Sequence, residues 1–378
     1  MNSNISKPIF LSGLNGIRTI AAFGVIISHI NLSLLQFNIH NSSLFGWNNE
    51  GKPNGWVLGE HGVTMFFVLS GFLITYLLLK EYQKTKTIKI MDFYIRRILR
   101  IWPLYYLYIG WVALLALTSV SWNSTWLHYL TFFANIPFVL GSALPAMDHL
   151  WSISVEEQFY LFWPVLFLFS LKGNFIKIIA VIIFIFAVFR IYIWFTSPFS
   201  TVALFSVVNR FDCMLLGSLG AYLFFNKSEI IFFIDHKITQ TLAWLIIFSM
   251  LINVFWFLNS IIEIFVVSFA TLIIIIGQIN IKNRIVNLEN PVISYLGKLS
   301  FGIYVYHPLI ILLFSTYLKF DAATIPISEF WYMMLMYSGI IGVTILIAHI
   351  SYFYFELRFL KLKTKFSVVN STNSAYIK

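Results

Sequence analysis

Hydrophobic positions in this chain neither alternate nor keep to one helical face; they come in long unbroken runs separated by short polar breaks. As helices, runs of about 16 to 25 residues can cross a hydrocarbon layer roughly 30 Å thick. The pattern predicts ten of them, at residues 10–31, 57–79, 101–118, 151–170, 176–195, 211–226, 239–258, 261–280, 296–317 and 331–355. Residues 126–141 form an eleventh candidate, but Asn135, Pro137 and Gly141 interrupt it. The fold class expected is therefore all-α: a polytopic membrane protein with about ten spans. A single transmembrane domain over residues 1–360 would be followed by a short cytoplasmic tail, 361–378. No internal repeat or low-complexity tract is visible. No small-residue cleavage site follows the first run, which reads as a retained helix rather than a signal peptide.

Composition agrees with the pattern: 59% of the 378 residues are hydrophobic and 11% charged, which rules out an ordinary soluble domain. The single cysteine, Cys213, allows no internal disulfide, and no Cys/His spacing suggests a zinc site. Net charge is +10, yet the basic residues alternate with the apolar runs instead of forming one stripe. That argues for topology and against nucleic acid. With ten spans and the N-terminus inside, all Lys and Arg residues except Lys52, Arg190, Arg210 and Lys319 fall on the cytoplasmic side. Both termini are then expected in the cytoplasm, with the longest outer loops at about 32–56 and 119–150, neither long enough for a soluble domain.

Chemistry-bearing residues interrupt the apolar runs at a few places. Arg18 and His29 lie eleven residues apart in the first run, within roughly 20° of one helix face and roughly 16 Å apart along its axis. Ionisable groups cost about 2.5 to 3.5 kcal/mol at the bilayer centre, so this stripe is expected to face a polar cavity inside the bundle. Arg96, Arg97 and Arg100 stand about a turn apart before the third run. Their forked guanidiniums suit either a phosphorylated cytoplasmic ligand or an anionic lipid headgroup. Membrane lipids are partners in either case, and Lys80, Lys84, Lys86 and Lys89 are explained as topology determinants. Glu156 and Glu157 sit at the outer start of the fourth run, at a depth similar to His29. There one of them is expected to fix the imidazole tautomer and support proton transfer, although capping of the helix dipole is a simpler account. Ser70, beside Glu60 and His61 in the second run, and Arg210 with Asp212, which could form a charge pair, complete the outer half. Gly71, Gly217 and Gly220 read as close-packing positions. Ser300, Tyr304 and His307 share a face in the ninth run, with His307 near mid-membrane.

Taken together these segments resemble the family-3 integral membrane acyltransferases, in LNGIRTIAAFGVIISH with its Arg-x10-His spacing, GVTMFFVLSGFLI, RRILRIWPLYY, WSISVEEQFYLFWP, NRFDCMLLGSLGA and LGKLSFGIYVYH. The resemblance covers nearly the whole chain. It implies transfer of an acyl group, commonly acetyl from acetyl-CoA, to sugars of envelope or secreted molecules at the cytoplasmic (inner) membrane. It also implies that His29 is catalytic, with Arg18 in the same motif, and that Arg96, Arg97 and Arg100 belong to the donor site. The chain departs from the pattern at Asn15 and Thr64, where acidic residues are usual. An extra soluble esterase-like domain, present in some relatives, is expected here as a separate extracytoplasmic partner enzyme.

Residue pattern and resemblance together suggest one mechanism without a metal. Acyl-CoA binds from the cytoplasm with its phosphates near Arg96, Arg97 and Arg100, and Arg18 guides its pantetheine arm, which spans on the order of 15 to 20 Å. The thioester then meets His29, oriented by Glu156, and an acceptor hydroxyl of a glycan or glycolipid arrives from outside, contacting Glu157, Ser70, Arg210, Asp212, Tyr304 or His307. A covalent acyl-histidine relay is the variant. The rival is a transporter or flippase of an envelope precursor, with His29, Glu156, Asp212 and His307 on a substrate or proton pathway. It leaves the arginine cluster unexplained and lacks the paired inverted repeats of many transporters.

Overall fold

A computed structural model describes residues 10–116, 123–251, 260–321 and 326–369. The distal ends of the expected spans 101–118 and 239–258, and residues 370–378 of the expected tail, lie outside the described residues. In chain order the helices are α1 (Leu14–Leu32), α2 (Trp56–Thr85), α3 (Ile90–Ala116), α4 (Thr125–Leu130), α5 (Asn135–Val139), α6 (Leu150–Lys172), α7 (Phe175–Thr196), α8 (Thr201–Val208), α9 (Phe211–Phe225), α10 (Ile230–Ile234), α11 (Lys237–Leu251), α12 (Ser260–Ile279), α13 (Pro291–Tyr317), α14 (Glu329–Ser351) and α15 (Leu357–Lys363). Among the described residues there is no strand, only an isolated bridge between Trp47 and Pro53.

Among the described residues helix occupies every predicted run over most of its length, and the interrupted stretch 126–141 is broken into α4 and α5. Seven stretches among the described residues, however, are both long and apolar enough to cross a membrane: α2, α3, α7, α8 with α9, α12, α13, and α14 with its continuation to Phe366. Helices α1 and α6 fall outside this group because they carry Arg18, His29, Glu156 and Glu157, and α11 is described over only 15 residues. In α1 and α6 it is the candidate chemistry itself that dilutes the hydropathy signal.

Helix α1 lies between α2 and α13, and α2 packs most extensively against α9. Gly71 of α2 faces the Met214 carbonyl, and Gly217 of α9 reciprocally faces the Val68 carbonyl, so the two backbones cross with no room for a Cβ on either side. Gly220 is likewise filled by Leu272. The chain enters α1 through Gly13 at φ +72°, a left-handed conformation cheap only for glycine. The Gly13 N–H donates to Glu289 Oε2 at 2.6 Å, tying the start of α1 to the segment before α13. Helix α13 begins with Pro291 behind an Asn290 cap, whose side chain accepts from the Val292 and Ile293 amides.

At the periphery α7 buries only 11% of its apolar window and exposes Phe184, Tyr192 and Phe195, a surface suited to lipid rather than water. Its one charge near the C-terminal end, Arg190, turns inward and is 2% exposed. Beyond α14 the helix loosens into a π-turn at Tyr352–Glu356, and α15 continues from it and packs against α3.

Candidate functional site

Two cavities lie end to end inside the bundle. The first, of about 540 Å³, is lined by Ser28, His29 and His149, by Glu60 and Arg210, and by the aromatic side chains Trp56, Phe138, Trp151, Trp194 and Phe199. The second, of about 140 Å³, is lined by Arg18, Arg97 and Arg100, with Glu156, Tyr160, Ser70 and Glu289 among its other polar residues. Arg18 and His29 of the α1 stripe thus open into different cavities.

In the histidine cavity, geometry fixes the protons. His307, fully buried on α13, has Nδ1 3.2 Å from the Ile303 carbonyl, which can only accept, so this nitrogen carries the hydrogen. Its Nε2 is then the acceptor for His29 Nδ1 at 2.9 Å, and with both rings neutral the Nε2 of His29 is left unprotonated. That nitrogen has no hydrogen-bond partner among the described residues. His149 donates Nε2–H to the Val305 carbonyl at 3.2 Å, in the same turn of α13. Pro308 lies in this turn too and removes the amide that would have served the Tyr304 carbonyl.

The charges around this cavity are paired. Arg210 donates to Thr64 Oγ1 at 2.6 Å, to the Glu60 carbonyl at 3.1 Å and to the Glu60 carboxylate, while Asp212 accepts a bidentate pair from Arg190 at 2.8 and 2.9 Å. Arg210 and Asp212 are therefore not each other's partners, as sequence proximity suggested. At Thr64, the position where an acid is usual, a hydroxyl receives the guanidinium, and the carboxylate comes from Glu60 one turn earlier.

The arginine cavity differs. Arg18 donates to Asn15 Oδ1 at 2.9 Å, a neutral acceptor where a carboxylate is usual. The Arg97 guanidinium lies over the rings of Phe93 and Tyr160, and its Nε is buried without a hydrogen bond. Among the described residues none of Arg18, Arg97 and Arg100 forms an ion pair. Glu156 accepts from Ser70 and Tyr160, and Glu289 is engaged by Ser12 and Gly13.

Several expectations change here. Glu156 and Ser70 belong with the arginines, not beside His29, whose partner is His307; the helix rotation that sequence spacing leaves open turns Glu156 the other way. Glu157 lines neither cavity and accepts from Trp102 Nε1 at 2.8 Å. Arg96 leaves the arginine trio, because it is ion-paired with Glu81 at 2.8 Å and donates to the Phe366 carbonyl at 2.7 Å. Tyr304 donates to the His149 carbonyl at 2.9 Å, bonds to Ser152 and lines both cavities. Residues overlooked in the sequence are His149, Tyr160 and Glu60 as an ion-pair partner. His149 precedes α6 in a stretch that reads as loop, and only its packing against α13 distinguishes it.

Two relatives are similar over most of this chain: O-acetyltransferase OatA of Staphylococcus aureus strain NCTC 8325 / PS 47 and OatA of strain COL. Each is 28% identical over 93% of this chain and 57% of its own length. The chain thus spans a little over half the length of these relatives. No solved structure matches it. A family model described as an acyltransferase domain matches residues 11–349, from the turn before α1 to the last turn of α14. That match takes in both cavities and the wall between them, and on it the chain belongs to the acyltransferase-3 family.

Proposed function

We propose that this protein is a membrane O-acyltransferase that moves an acetyl group from cytoplasmic acetyl-CoA to a hydroxyl of a glycan or glycolipid at the outer face of the cytoplasmic membrane. The observation that carries the reading is the contrast across one wall: unpaired guanidiniums on one side, an unprotonated, tautomer-fixed imidazole nitrogen on the other. The arginine cavity opens to the cytoplasm and both termini lie there, in line with the distribution of Lys and Arg.

In this reading Arg97 and Arg100 hold the donor's phosphates by charge-assisted hydrogen bonds and Arg18 neutralises charge further in. The thioester end advances to the wall beneath His29. The acceptor sugar lies against Trp56, Trp151 and Trp194, whose faces suit the apolar side of a sugar ring, and a hydroxyl approaches His29 Nε2. His29 takes the hydroxyl proton as oxygen attacks the thioester carbonyl; the carbon–sulfur bond breaks and the proton passes to the departing thiolate. His307 acts through His29, accepting its Nδ1–H and stabilising the transient imidazolium. Glu156, held by Ser70 and Tyr160, balances charge among the arginines.

The test is the base-labile acetyl content of envelope and secreted glycans in a deletion strain, complemented with the wild type or with His29→Ala at equal membrane abundance. Wild type restores acetylation and His29→Ala does not, the loss of a general base being worth about 10² to 10⁴ in rate. Full restoration by His29→Ala would remove His29 from the chemistry.

A further inference from the structure

The two cavities share only two lining residues, Val63 of α2 and Tyr304 of α13. We infer that these two side chains form the aperture through which the acyl group passes from the donor cavity to His29, and that its width sets which acyl chain the protein transfers. The inference rests on the donor reading above.

Neither side of the aperture is free to retreat. Val63 is carried on α2 next to Gly62, where a Cβ would strike the Ala21 carbonyl and Val25 of α1, so the α2 backbone is already seated on α1. Tyr304 is held at its hydroxyl by Ser152 and the His149 carbonyl, and its ring is flanked by Phe66, His149 and His307 at centroid distances of 6.0, 5.5 and 5.8 Å. Val63 is 5% exposed and Tyr304 6%, so both side chains are packed on nearly every side and a longer chain passes between them only by displacing one. Close-packed walls of this kind resist an added methylene. A passage bounded by Val63 and Tyr304 therefore admits acetyl and discriminates by length at the first additional carbons. The thioester then reaches His29 beside Tyr304, which also contacts the two other imidazoles of the site.

The experiment compares acetyl-, propionyl- and butyryl-CoA as donors to wild type, Val63→Ala and Val63→Ile in membranes, with base-labile acyl groups on the acceptor glycan quantified by mass. The readout is the ratio of longer acyl to acetyl transferred, which is independent of protein amount. Val63→Ala is expected to raise the butyryl-to-acetyl ratio by roughly tenfold or more, and Val63→Ile to lower the propionyl-to-acetyl ratio, since one methylene in a tight pocket is worth about 10- to 200-fold. Unchanged ratios in both variants, or inactivity of both towards every chain length, would overturn the aperture while leaving wild-type acetyl transfer intact. A wild type that uses no acyl-CoA of any length would instead overturn the donor reading, and the aperture with it.

Discussion

The two cavities share α1, α2, α6 and α13 in their walls but treat charge in opposite ways. Around the histidine cavity Arg210 is matched by Glu60, and next to it Arg190 by Asp212, each pair almost wholly out of contact with solvent. Around the arginine cavity, Arg18, Arg97 and Arg100 have no ion-pair partner among the described residues. Charges withdrawn from water need compensation, so the first arrangement is complete as it stands and the second, with its half-buried guanidiniums, calls for an anion. The difference teaches how to tell scaffold from site in a membrane bundle: a paired buried charge maintains the wall, and an unpaired one awaits a ligand.

The largest effect that sharpens this contrast is on stability. Asp212→Asn strands the Arg190 guanidinium and is expected to destabilise the protein by about 3–5 kcal/mol, measured by thermal unfolding in detergent. Replacing both members with apolar residues should recover most of the loss, because the cost lies in the stranded charge.

Arg97→Gln or Arg100→Gln is expected to behave in the reverse way. Unfolding temperature changes little, while the KM for acetyl-CoA rises roughly 10- to 150-fold, the worth of a charge-assisted hydrogen bond of about 1.5–3 kcal/mol. Arg96→Gln, one residue away, should lower stability through Glu81 and leave that KM unchanged. A rise in KM for Arg96→Gln equal to that of Arg97→Gln would break the distinction between paired and unpaired arginines.

The smallest effect concerns the tautomer. His307→Gln keeps a hydrogen-bond acceptor in reach of His29 and is expected to lower kcat about tenfold with the donor KM unchanged, whereas His307→Leu, with no acceptor, should fall further. Equal losses in the two variants would mean that His307 merely fills space.

Much of this was legible in the chain because a membrane makes periodicity loud: helices stand where apolar runs stand, and the interrupted run 126–141 becomes the short α4 and α5, although the break falls at 131–134 and Asn135 and Pro137 lie within α5. Eleven-residue spacing places Arg18 and His29 on one stripe because a helix has one pitch. Of the three glycines read as packing positions, Gly71 and Gly217 stand at a backbone crossing, since only glycine permits that approach, and Gly220 makes room for the Leu272 side chain.

What spacing does not contain is rotation of one helix against another. Glu156 and Glu157 are adjacent, yet one enters the arginine cavity and the other turns to Trp102; Arg96 and Arg97 are adjacent, yet one is locked to Glu81 and the other is left unpaired. Neighbours in a helix point about 100° apart, so which of them faces a cavity depends on how whole helices settle. By itself the sequence determined the class of fold, the membrane as solvent and the residue types available for chemistry, all properties of local composition and pitch. Only the tertiary structure decided that His29 is partnered by His307, that Glu156 serves the arginines, and that two cavities meet at Val63 and Tyr304. Those are contacts between distant segments, fixed by side-chain packing that no single helix specifies.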